Sequence, residues 1–149
     1  MRLRTPGDAG GGNVYVLSTT PDVIDWKASQ WDYTPCKSYG NLTELRGLPH
    51  VPYSVTSTPV DANTTSVVLS LPASATSVLF FARVRVVNAS AADVAPAFYS
   101  DNFITLRPGE AATVVATYDG VLAGPVSVVV EAFNDVAGLP QSTASLLAE

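Results

Sequence analysis

The stretch Ser77-Val78-Leu79-Phe80-Phe81-Ala82-Arg83-Val84-Arg85-Val86-Val87 decides the fold. From Phe80 onward it alternates: Phe80, Ala82, Val84 and Val86 fall on one side, and Phe81, Arg83 and Arg85 on the other. Successive side chains of an extended chain point to opposite faces, so this run predicts a strand with one apolar face in a core. A single strand is not stable in water. Its neighbours must lie elsewhere in the chain.

Toward the N-terminus, residues 66–71 and 52–58 form two further short runs, closed by Pro72 and Pro59. Toward the C-terminus comes 97–106, broken at Ser100-Asp101-Asn102, where one strand is expected to kink into two. Arg107-Pro108-Gly109-Glu110 then reads as a turn, with Pro where φ is fixed and Gly where φ is expected to be positive. Residues 112–118 and 126–133 complete the series, joined through Asp119-Gly120. Six or seven strands spaced by about ten residues, without a convincing long helix, predict an all-β, immunoglobulin-like antiparallel β-sandwich of about seven strands. Its expected limits are residues 51–134.

The flanks read differently. Residues 1–12 hold a Gly-rich stretch and are expected to be a flexible leader. Residues 13–50 begin with the strand-like run Asn13-Val14-Tyr15-Val16-Leu17-Ser18, which needs a partner sheet, and continue as an aromatic connector. A short helix is expected over 38–45, ahead of the Gly47-Leu48-Pro49 break. The tail, 135–149, shows no clear pattern and is expected to fray.

Composition narrows the function classes. The 149 residues suit one ordinary domain, since single cores are usually built from roughly 100–200 residues. The formal charge of −5, with eight scattered basic residues, argues against a nucleic-acid partner. No apolar run reaches the roughly 20 residues that span a bilayer, so no membrane partner is expected. Cys36 is the single cysteine, which excludes an internal disulfide and a cysteine metal cluster.

Candidate chemistry is sparse. Glycosidic hydrolysis needs two carboxylates roughly 5 to 10 Å apart across the bond. Asp22, Asp25, Asp32, Asp101, Glu110 and Glu131 are the carboxylates considered, and most read as turn formers or solvent-facing groups. His50 is the only histidine, and no calcium-loop spacing or Gly-x-Ser-x-Gly elbow occurs. No catalytic residue, metal site or cofactor is therefore assigned. Trp26, Trp31, Tyr33 and Tyr39 are the carbohydrate-contact candidates, because exposed aromatic rings stack on sugars. The competing reading is that they attach the connector to a neighbouring domain. Asn41, Asn63 and Asn88 head Asn-x-Ser/Thr sequons and are the glycosylation candidates.

Two groups of residues carry a resemblance. Asn13 to Ser18, with Asp22-Val23-Ile24-Asp25-Trp26 and Trp31-Asp32-Tyr33-Thr34-Pro35, resembles the late region of exo-β-D-glucosaminidases of glycoside hydrolase family 2. Phe80-Phe81-Ala82-Arg83-Val84-Arg85-Val86 together with Phe98-Tyr99-Ser100-Asp101-Asn102-Phe103-Ile104-Thr105-Leu106-Arg107-Pro108-Gly109-Glu110 resembles the last immunoglobulin-like domain of those enzymes and of β-mannosidases. The resemblance implies a secreted, chitosan-degrading parent whose catalytic carboxylates sit in a (β/α)8 barrel that this sequence lacks. It implies that residues 13–18 close a preceding sandwich and that the partners are other domains of the parent. Three roles stay open: an accessory domain beside the barrel, a module binding chitosan or glucosamine oligosaccharide, and a stand-alone interaction domain.

Overall fold

In this computed structural model the described residues are 14–119, 124–135 and the backbone of 142–145. They fall into two compact units, divided between Leu48 and Pro49.

The first unit contains two very short strands, β1 (Val23–Ile24) and β2 (Cys36–Ser38), paired antiparallel. Val14 makes an isolated bridge, and residues 15–18 have no regular structure, so the strand expected over 13–18 is not a strand among the described residues. The helix expected over 38–45 is also corrected. Ser38 ends β2, and a 3-10 helix spans Thr43–Gly47. Asn41 competes with helix formation: its Oδ1 accepts from the backbone N and the Oγ1 of Thr43, at 3.0 and 2.7 Å. The backbone N of Gly40 donates to Asp22 Oδ1, and a Cβ at Gly40 would meet the Thr20 carbonyl at 2.9 Å.

The second unit is the sandwich. Its strands are β3 (Ser54–Asp61), β4 (Thr64–Ser70), β5 (Leu79–Asn88), β6 (Ala97–Tyr99), β7 (Ile104–Leu106), β8 (Ala111–Tyr118), β9 (Val126–Glu131) and β10 (Ser142–Ser145). One sheet has the order β10-β9-β5-β7 and the other β3-β4-β8-β6, with every pairing antiparallel. Seven of these strands lie where the sandwich was expected. The eighth, β10, comes from the tail expected to fray, because its backbone completes a ladder on β9 from Ser142↔Val130 to Ser145↔Ser127.

The core follows the two-residue period. On β4, Thr65, Val67 and Leu69 point inward; on β8, Ala112, Val114, Ala116 and Tyr118 do so. Together with Leu71, Leu79, Val84, Leu106, Val128 and Val130 they fill the space between the sheets. Pro59 does not close its strand but lies within β3, opposite Thr65. That position is allowed because β3 ends its sheet, where a missing N–H breaks no ladder. The turn at Arg107–Glu110 is as read from sequence: Gly109 has φ +82°, and the Glu110 N–H donates to the Arg107 carbonyl at 2.9 Å.

The kink at Ser100–Asn102 has a definite task. The partner β7 covers only the start of β5, and the 97–102 segment completes the edge with side chains. Asn102 accepts from the Val84 N–H at 2.8 Å and donates to the Val84 carbonyl at 2.9 Å, imitating a strand residue. The Tyr99 hydroxyl accepts from the Val86 N–H at 3.0 Å. Edge backbone groups are thereby satisfied.

Candidate functional site

The four carbohydrate-contact candidates all lie in the first unit, and all are exposed, with Trp31 at 97 % and Trp26 at 74 %. Asp25 builds the loop that carries three of them. Its N–H donates to the Pro35 carbonyl, its Oδ1 accepts from Lys27 N and Ala28 N, and its carbonyl accepts from Ser29 N. Gln30 N donates to the Tyr33 carbonyl and narrows the loop. Trp26, Trp31 and Tyr33 are thus grouped at the closed end of the β1–β2 hairpin. Tyr39 follows β2 and stands at the open end.

No residue in 14–48 is buried. Leu17 and Leu42 are also exposed, and both line a hollow shared with Val16, Pro21 and Gly40. A stretch with two tryptophans, three tyrosines and several aliphatic residues, none of them buried, presents far more apolar surface than scattered single residues do.

The second unit holds an aromatic cluster at one end of the β5 sheet. Between Leu79 and Ala82 the pairing with Leu106 and Ile104 uses one extra residue on β5, which is a β-bulge. Leu79 therefore takes a core position beside the buried Phe80, and from Phe80 on burial alternates as expected, with Phe80, Ala82, Val84 and Val86 buried and Phe81 and Arg83 exposed. Phe80 is buried against other rings, edge-on to Phe133 at 5.5 Å and tilted to Phe81 at 4.8 Å. Phe103 lies 6.1 Å from Phe81.

Phe81 and Phe103 have φ of +51° and +54°, a left-handed conformation that costs a bulky residue. Each Phe backbone is fixed by a specific bond. Phe80 N donates to Asn134 Oδ1 at 2.9 Å, Phe81 N to Thr105 Oγ1 at 3.3 Å, Phe103 N to Asn102 Oδ1 at 2.9 Å, and Phe133 N to the Phe80 carbonyl at 2.9 Å. Sequence reading missed this cluster. The only signal was the doublet Phe80-Phe81, two bulky apolar residues where strict alternation allows one.

The considered carboxylates have local partners. Asp22 and Asp25 organise the hairpin, Asp101 accepts from Asn102 N at 2.8 Å, and Glu110 Oε2 accepts from Arg107 N at 2.9 Å. Arg85 joins Asp93 and Glu131 at 2.7 Å each, and those bonds, Asp93 first, hold its guanidinium above its ordinary pKa against the opposing effect of burial. Asp32 is exposed in the loop. His50 Nδ1 lies 3.4 Å from Asp135 Oδ1, a long-range pairing no local motif announces. Among the described residues there is no group of three His, Cys, Asp or Glu able to hold a metal. Asn41 and Asn63 are exposed, while Asn88 is half-buried and its Oδ1 accepts from Ser90 N and Ala92 N.

This geometry offers two apolar surfaces. A family model described as the exo-β-D-glucosaminidase Ig-fold domain matches residues 31–135. The chain belongs to that family. The match of this glucosaminidase Ig-fold domain takes in Trp31, Tyr33, Tyr39 and all four clustered phenylalanines.

An exo-β-D-glucosaminidase of Streptomyces avermitilis is 39 % identical over 110 residues, covering 71 % of this chain and 12 % of that relative. One from Arthroderma benhamiae is 35 % identical over 125 residues, covering 79 % and 14 %. The crystal structure of the Amycolatopsis orientalis exo-chitosanase CsxA superposes with a TM-score of 0.77 at 28 % identity, covering 91 % of this chain and 16 % of that one. The chain thus spans only about an eighth of the curated relatives it matches.

Proposed function

We propose that this chain is the non-catalytic accessory sandwich of a family 2 glycoside hydrolase acting on chitosan oligosaccharides, and that it stabilises a catalytic barrel supplied by the rest of the parent. The observation that carries this reading is the absence of any buried residue in 14–48 despite the exposed Leu17, Trp26, Trp31, Tyr33 and Tyr39. A stretch that buries nothing of its own yet holds that many apolar side chains is built to cover another surface. The small share of each exo-β-D-glucosaminidase that the chain spans supports a parent with other domains.

The test uses the Streptomyces avermitilis relative with its matched 110-residue segment either deleted or replaced by this chain. Deletion is expected to lower the thermal midpoint and glucosaminidase activity, and the graft to restore both. The isolated chain is expected to show no turnover of chitosan oligosaccharides. A graft that behaves like the deletion, or turnover traced to the chain alone, overturns the proposal.

The exposure of Trp31 and Trp26 favours a second reading, a carbohydrate-binding module. Glucosamine oligomers titrated against tryptophan fluorescence separate the two. Saturable quenching supports sugar binding; a flat response into the millimolar range leaves the docking role alone.

A further inference from the structure

The sandwich itself carries a second apolar surface. Three of the four clustered rings are half open to solvent: Phe81 at 44 %, Phe103 at 54 % and Phe133 at 53 %. Phe80 beneath them is buried and fixes their base.

Two of these rings sit where the backbone alone would choose another residue. At φ +51° and +54°, Phe81 and Phe103 occupy a region that glycine and asparagine enter readily and aromatic residues avoid. Backbone strain of this kind persists where surrounding structure imposes it, and it concentrates at binding surfaces. Here the imposition is visible: Thr105 Oγ1 accepts from the Phe81 N–H, and Asn102 Oδ1 accepts from the N–H groups of Phe103 and Val84 while its Nδ2 donates to the Val84 carbonyl. Phe81 lies in the β-bulge between Leu79 and Ala82, and both rings point outward without joining the core cluster.

The area identifies the class of occupant. Three half-exposed phenylalanines offer on the order of 300 Å² of apolar surface. That is the size of a functional patch on a single domain. It is well below the roughly 800 Å² per partner of a stable association between free proteins. A patch this small holds its partner when a covalent link supplies a high effective concentration.

We propose that Phe81, Phe103 and Phe133 form a docking surface for an apolar face of another domain in the same polypeptide. This rests on the accessory-domain reading above and assigns the sandwich its own contact, separate from the aromatic residues of 14–48.

The test compares the double substitution Phe81→Asn with Phe103→Asn in the isolated chain and in the Streptomyces avermitilis graft. Asparagine tolerates the left-handed conformation, so the isolated chain is expected to keep or raise its thermal midpoint. In the graft the midpoint is expected to fall below that of the unsubstituted graft. Phe98→Asn removes another exposed ring, on β6 of the other sheet, and is expected to leave the graft unchanged.

Three results overturn the proposal. The graft keeps its midpoint, the isolated chain loses as much as the graft, or the isolated chain elutes as a dimer that the double substitution dissociates. If the unsubstituted graft is no more stable than the deletion, the accessory-domain reading itself fails. If that graft is stable and only the asparagine pair is silent, the phenylalanine surface alone fails.

Discussion

Thr65 is wholly buried yet polar, and its hydroxyl is matched by that of Tyr118 at 2.8 Å across the β4–β8 ladder. Two buried hydroxyls that satisfy each other contribute little net stability, but an orphaned one costs its full desolvation, about 1–3 kcal/mol. Tyr118→Phe should therefore destabilise by about that amount, and adding Thr65→Val should recover most of it. Urea unfolding of the two single variants and the pair checks this, and additive losses would count against it. Asn134 works on the same principle at the edge of the aromatic cluster. Its amide accepts from Phe80 N and donates to the Pro49 and Val78 carbonyls at 2.8 and 2.9 Å. Such roles were invisible in the sequence. An asparagine in a turn-rich stretch looks the same whether it faces water or bridges three backbone segments.

At the level of elements, the clearest signals were those dictated by local chemistry. Alternation in β4 and β8, the Pro108-Gly109 turn and the break at Ser100–Asn102 follow from side-chain period and backbone freedom. What the residues did not announce is set by pairing. The apolar series Phe80, Ala82, Val84, Val86 hides the bulge, because a hydrophobic residue at each position fits either register. Likewise β10 has a polar sequence and exists through its ladder with β9.

Tyr53, just before β3, shows how separate elements are tied together. Its hydroxyl reaches Asp135 Oδ2 at 3.1 Å and the Val130 carbonyl at 3.3 Å. Burial first, and the Asp135 charge second, push its phenol well above the ordinary tyrosine value. A raised folded pKa means the neutral phenol is favoured in the fold. Its contribution is complete below the unfolded value of about 10 and is lost as pH rises beyond it. The thermal midpoint should thus fall between about pH 9 and pH 11 more steeply in the native chain than in Tyr53→Phe. Parallel curves would show that this phenol carries none of the alkaline sensitivity.

Across the whole molecule, apolar surface is distributed unevenly. The sandwich buries most of its aliphatic strand residues, while 14–48 keeps none buried. That contrast has a measurable counterpart in hydrogen exchange. Amides backed by no burial open at little free-energy cost, whereas those of central strands such as β4 and β8 open only with the global unfolding of the sandwich. In the isolated chain, 14–48 should exchange early and the β4–β8 ladder late. In the Streptomyces avermitilis graft, slowing confined to 14–48 is what the proposed docking of that segment would produce. The segment then serves as a built-in gauge of whether the domain is in place.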